Sequence, residues 1–197
     1  MQRKRQPSYK TNTGSCRKTT DPLMPVNPHV LRIFQREVER QCKFGLMAAL
    51  DLDLALRTPN MDRIWASVQS LLVAAGNVSK LLWPSHERIP GRGSELRQSL
   101  NVGANSPLEP RTFRNHFEHF DERLDDWANS SPHHNFVDSN VGPPNMIVGI
   151  AGGDYLRNFD TTNNAVTYRG DRYELRPVVT ELQTLWTIAN RVTNRFP

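Results

Sequence analysis

The sequence has only two cysteines, Cys16 and Cys42, in 197 residues. That is too few for a disulfide framework or a cysteine zinc site, so a reducing, cytoplasmic setting is the default expectation. Long apolar runs are missing as well. The most apolar stretch, residues 71–83, is interrupted by Asn77, Ser79 and Lys80, and a membrane span needs roughly 18 or more uncharged apolar residues. No membrane partner is expected. The basic start (Arg3, Lys4, Arg5) runs into Gln, Pro, Ser, Tyr and Lys, which does not read as a signal peptide because the apolar h-region is absent. Acidic residues are absent from positions 1–20, which hold six of the 25 basic residues.

That last absence locates the net charge of +5. Setting the six aside leaves 19 basic against 20 acidic residues over 21–197, near neutrality. The charge therefore belongs to a short basic tail, expected as a disordered segment over residues 1–26, with residues 27–197 forming a single helical-bundle domain. Such an arm can touch phosphates, but global charge does not mark the folded part as a nucleic-acid protein.

Four segments carry helical periodicity. The first, about 28–57, opens at Asn27-Pro28, a cap residue followed by proline. It places Leu31, Phe34, Val38, Cys42, Gly45, Ala49, Leu52 and Leu56 on one stripe. The second, about 60–83, carries Ile64, Val68, Leu71, Ala75, Val78 and Leu82. Residues 84–110 read as a long loop with a short helix near 95–100. The third helix, about 110–129, sets Phe113, Phe117, Phe120, Leu124 and Trp127 within about 80° of one another. It is expected to be the central core helix. The fourth, about 177–195, carries Leu182, Leu185, Ala189, Val192 and Phe196. Stripes that cannot bury themselves alone predict a mainly α four-helix bundle. Between the third and fourth helices, β-like pieces and the turn signals Asn163-Asn164 and Gly170-Asp171 predict a small antiparallel β-meander at about 146–175, inserted before the last helix.

The residues suited to chemistry gather on the third helix, as Arg114-Asn115-His116-Phe117-Glu118-His119. An arginine, a polar residue, three more residues and a histidine resemble the R-x4-6-H signature of the HEPN family, with Arg114, Asn115 and His119 at the motif positions. The helix order agrees with that family's four-to-five-helix bundle, over about 28–129 and 177–196. The resemblance implies a metal-independent endoribonuclease or RNA-processing factor of a toxin or defence type. It further implies RNA as substrate, no cofactor or metal, motif residues meeting across a homodimer interface, and a protein antidote for a toxin-type member. In that chemistry the imidazole moves a proton and the guanidinium holds the charged phosphate. His116, Glu118 and Arg123 would support the site.

On a straight helix Arg114 and His119 point about 140° apart, so one protomer does not focus them on one phosphate and a symmetric partner is required. The competing expectation is a noncatalytic interaction or assembly module, since fold does not fix function. A zinc held by His116 and His119 with His133, His134, Asp121 or Asp126 is outweighed by the reading of these as surface histidines. The segment 149–154 is glycine-rich but lacks the Gly-Lys-Ser/Thr of a phosphate loop, so it reads as a turn. Trp65, Trp83, Trp127 and Trp186 read as core.

Overall fold

The protein is seen in a computed structural model whose described residues are 25–58, 60–110, 112–144 and 146–194; the side chains of Phe113, Arg114 and Phe117 are not among those described. The tail expectation for residues 1–24, with Cys16, lies outside them.

The described residues form α1 (Pro28–Arg57), α2 (Met61–Leu82), α3 (Arg92–Ser99), α4 (Thr112–Glu118), α5 (Phe120–Ser130), four short strands, and α6 (Leu175–Asn194). None of these helices is long and apolar enough to cross a membrane. The starts of α1 and α2 follow from their caps. Asn27 Oδ1 accepts from the His29 amide (2.9 Å), and Asn60 Oδ1 accepts from Arg63 (3.0 Å), each satisfying an amide that the helix leaves open.

The long helices α1, α2 and α6 supply most of the core. Val38, Cys42, Val68, Leu71, Val78, Leu82, Leu182 and Ala189 are fully buried there, and each large side chain contributes roughly 1.5–3 kcal/mol by leaving water. The α1 stripe is inward at Val38, Cys42, Gly45 and Leu52, while Ala48 and Ala55 rather than Ala49 and Leu56 are its buried members further along. The glycine matters because a Cβ at Gly45 would stand 2.8 Å from Leu182 Cδ1; its absence lets α6 close on α1.

Three expectations are corrected. First, the predicted tail to residue 26 is too long: Val26 is buried and its amide donates to Glu95 Oε1 at 2.8 Å. Secondly, residues 84–110 hold the expected short helix, as α3, but the segment is more than a surface loop. Leu96, Leu100 and Leu108 enter the main core. Arg92 Nη1 and Arg97 Nη1 donate to the carbonyls of Leu81 and Leu82 (2.6 and 2.5 Å), closing the open end of α2. Thirdly, the predicted 110–129 helix is not one central core helix. It breaks at His119 (φ −120°, ψ 40°) into α4 and α5, and Phe120 and Leu124 of the predicted stripe are exposed. Trp127 is buried, but in a separate small cluster with Leu156 and Tyr168.

The predicted meander is present, as strands β1 (Asn140–Val141), β2 (Arg157–Asp160), β3 (Ala165–Tyr168) and β4 (Asp171–Glu174) in that order across the sheet. It differs from the expectation in β1, which lies before the expected start at 146 and runs parallel to β2, while β2–β3 and β3–β4 are antiparallel. Residues 146–148 form no strand, and Val148 is exposed. The turns follow from chemistry. Asp160 accepts from the Thr162 amide (2.9 Å) and from Asn163 Nδ2 (2.8 Å), starting the β2–β3 turn. Arg169 (φ 46°) and Gly170 (φ 90°) make the β3–β4 turn with two positive φ angles, the geometry that matches strand twist.

Candidate functional site

Cross-strand register decides which residues meet α4. Tyr168 pairs with Asp171, and Val166 with Phe159 on one side and Tyr173 on the other, so these side chains share one sheet face. Phe159 and Val166 press into the main core; Tyr168 and Asp171, nearer the turn, meet His116. The imidazole stacks on the Tyr168 ring (4.9 Å between centroids, 16° between planes). Nε2 lies 2.8 Å from Asp171 Oδ2. A carboxylate only accepts, so Nε2 carries the proton and donates. Nδ1 is buried with no hydrogen-bond partner among the described residues. The His116 side chain is 8% exposed and that of Asp171 53%. Burial pushes the Tyr168 hydroxyl above its usual pKa, which keeps this stacking platform neutral.

Around this pair lies an open cleft of about 350 Å³, lined by Thr112, Asn115, His116, Arg123, Asp126, Arg169 and Asp171. Arg123 Nη1 donates to Asp126 Oδ2 over a long 3.5 Å, and its buried Nε has no partner among the described residues. Arg169 Nη2 donates to Ser130 Oγ at 3.0 Å, tying the β3–β4 turn to the end of α5. Two guanidinium groups, an amide and an imidazole thus line one open space. With the imidazole neutral, the two arginines balance Asp126 and Asp171; a proton on His116 gives the cleft a net positive charge.

The motif residues separate. Asn115, His116 and Arg123 line the cleft. His119 lies at the α4–α5 junction, about half exposed, with Nδ1 3.4 Å from Glu122 Oε1; two solvated groups at that distance bind each other weakly. Glu118 pairs with Lys80 of α2. Arg114 stands on α4, but its side chain lies outside the described residues. The helical wheel drawn straight through residues 114–119 therefore does not apply beyond Glu118.

The sequence reading missed Asp171 and Arg169 as site residues. Gly170-Asp171 was legible as a turn signal, but nothing local shows that this turn docks beside α4. It also missed the buried carboxylate of Asp154, which organises the 131–154 loops. Asp154 accepts from Ser131 Oγ (2.5 Å), the amides of His133 and Ala151 (3.3 Å each) and His133 Nδ1 (3.3 Å). The Ser131 hydroxyl foremost, with these donors, holds its carboxyl below the usual range against the opposing effect of burial. Among the described residues no group of three or more His, Cys, Asp or Glu side chains is placed to hold a metal ion.

No family model, no curated protein and no solved structure matches this chain.

Proposed function

We propose that the cleft between α4, α5 and the β3–β4 turn is a phosphodiester site, and that the protein is a HEPN-like, metal-independent endoribonuclease. The observation that carries this reading is the convergence of the His116–Asp171 pair with Arg123 and Arg169 on one cleft. An Asp-held imidazole has a fixed tautomer, which suits it to take the proton of an RNA 2′-hydroxyl. As the 2′-oxygen–phosphorus bond forms, the bond to the 5′-oxygen breaks, and the leaving oxygen takes a proton from water or from the imidazolium. The guanidinium groups would offset the negative charge that builds on the phosphoryl oxygens. Because Nδ1 is enclosed, the ring or the Arg123 side chain must shift to admit the hydroxyl. In the HEPN-like form of the reading, Arg114 and His119 add a second site assembled with a partner copy, in a cytoplasmic protein of toxin or defence type held by an antidote.

Incubating the full chain with total RNA in EDTA tests this. Cleavage lost in His116→Ala but kept in His119→Ala supports the cleft. Loss in Arg114→Ala and His119→Ala with His116→Ala active moves the chemistry to the motif pair. A pattern identical in all three variants, each shown folded by circular dichroism, ends the ribonuclease reading; activity abolished by EDTA assigns it to a metal. The second reading, a noncatalytic assembly module, is favoured by the exposed apolar side chains on α1, of which Leu50 is 66% exposed.

A further inference from the structure

We infer that the outer face of α1 is the self-association surface of this protein, and that its occupant is a second copy packed antiparallel about Met47. The inner side of α1 is buried against α2 and α6, at Val38, Cys42, Gly45 and Leu52. Its outer side in the second half should be polar, as on any one-sided surface helix. Instead Phe44 (49%), Met47 (53%), Leu50 (66%) and Leu54 (54%) are all exposed there. At 100° per residue they span about 120° of the helix surface. Four large apolar residues in one stripe form a continuous patch, whereas scattered exposed leucines are ordinary.

The charge pattern along the same face selects the occupant. Arg36, Arg40 and Lys43 precede the stripe and Asp51 lies within its second half, all of them exposed. A twofold axis at Met47 lays Met47 on its own copy, Phe44 on the second copy's Leu50, and Lys43 on the second copy's Asp51. Three of the four apolar positions then meet an apolar one, while Leu54 lies across the second copy's Arg40 and can pack on the aliphatic stem of that side chain. Two symmetry-related Lys–Asp pairs flank them. That is the isologous, self-complementary arrangement a dimer requires, and the antiparallel sense also opposes the helix dipoles. The apolar surface available is on the order of 400 Å² per copy. With the stems of Arg40 and Lys43 it reaches about 1,000 Å² over both copies, the low end for a specific interface. The chain's own first 24 residues suit the face poorly, because their six basic residues would meet Arg36, Arg40 and Lys43. The surface shares no residue with the α4–α5 cleft, so it stands or falls apart from the ribonuclease reading.

Sedimentation equilibrium of the full chain at about 100 µM should give a dimer, twice the chain mass of 22.5 kDa. Lys43→Glu and Asp51→Lys should each raise the dissociation constant about tenfold or more, since each turns two attractions into repulsions. The double charge swap should recover most of the loss. Residues 43 and 51 are eight apart on one helix and do not touch within a chain, so recovery can only arise between chains. Leu50→Glu should give a monomer with an unchanged helical spectrum. A monomeric wild type, a dimer indifferent to Leu50→Glu, or a double swap no better than the single variants each overturns the inference. Dimerisation that appears only after deletion of residues 1–24 also overturns it, by making that segment the natural occupant.

Discussion

Replacing Gly45 by alanine separates helix propensity from packing, and the two predict opposite signs. In a helix interior alanine is favoured over glycine by about 1 kcal/mol, so an unhindered site would gain that much. Here the new Cβ would stand 2.8 Å from Leu182 Cδ1, 3.5 Å from Ala74 Cβ and 3.7 Å from Leu71 Cδ1. The last two are ordinary contacts. The first is an overlap, and Leu182 is fully buried, so its methyl cannot swing into solvent to relieve it. Overpacking of this kind costs about 1–3 kcal/mol. Gly45→Ala should therefore lose about 1 kcal/mol net in urea unfolding followed at 222 nm. Leu182→Ala alone should cost about 3 kcal/mol through the cavity it leaves. With that methyl gone, Gly45→Ala should instead stabilise by up to about 1 kcal/mol, giving a coupling near 2 kcal/mol between the sites. A gain in the wild-type background, or strictly additive single effects, would refute the close approach of α1 and α6.

Two further outcomes follow from individual side chains. Burial, with Glu181 adding to it, pushes the Cys42 thiol up to about 12; in a Cys16→Ser chain it should resist Ellman's reagent at pH 8 while folded and react fully in urea. The Asp154 carboxyl is held below its unfolded value, chiefly by Ser131. Its contribution is thus complete above the ordinary carboxylate pKa of about 3.9 and fades as the pH falls through the lower folded value. Asp154→Asn should lower stability at neutral pH and flatten the acid limb below about pH 4. Parallel acid limbs for the two proteins would show that Asp154 is not the group responsible.

The helices α1, α2 and α6 were legible because each buries one face against the others, and one-sided burial writes a period near 3.6 into the sequence. The turns were legible for a different reason: Asn164 (φ 51°) and Gly170 (φ 90°) occupy backbone conformations that few residues accept. The break at His119 left no such mark, since neither glycine nor proline stands there. Its cause is tertiary. His116 stacks on Tyr168, and Trp127 joins the same Tyr168 in the small second cluster. On a straight helix residues 116 and 127 are about 16 Å apart along the axis, and each is tied to the sheet side of the fold by its own contacts, His116 by Tyr168 and Asp171 and Trp127 by the small second cluster. The amphipathic wheel assumed a straight helix, which is why it placed Phe120 and Leu124 inside. The motif resemblance pointed to His119, whereas the histidine that lines the α4–α5 cleft beside a carboxylate is His116. Asp171 becomes its partner only through the β3–β4 register, which pairs it with Tyr168.

A site at His116 rather than His119, as proposed, changes what association has to do with activity. With Arg114 and His119 diverging on one helix, catalysis demanded a second protomer. The cleft gathers Asn115, His116, Arg123, Arg169 and Asp171 within one chain, and none of them belongs to the α1 face. If both proposals hold, the two are separable. A Leu50→Glu monomer should cleave RNA with a specific activity within about twofold of the dimer's, because changes at distant sites without shared partners add independently. His116→Ala, conversely, should leave the dissociation constant of the dimer unchanged. Sedimentation and RNA cleavage run on the same two variants decide the matter. A monomeric Leu50→Glu chain that keeps its helical spectrum but has lost cleavage would show that activity depends on the α1 dimer and would refute the separation.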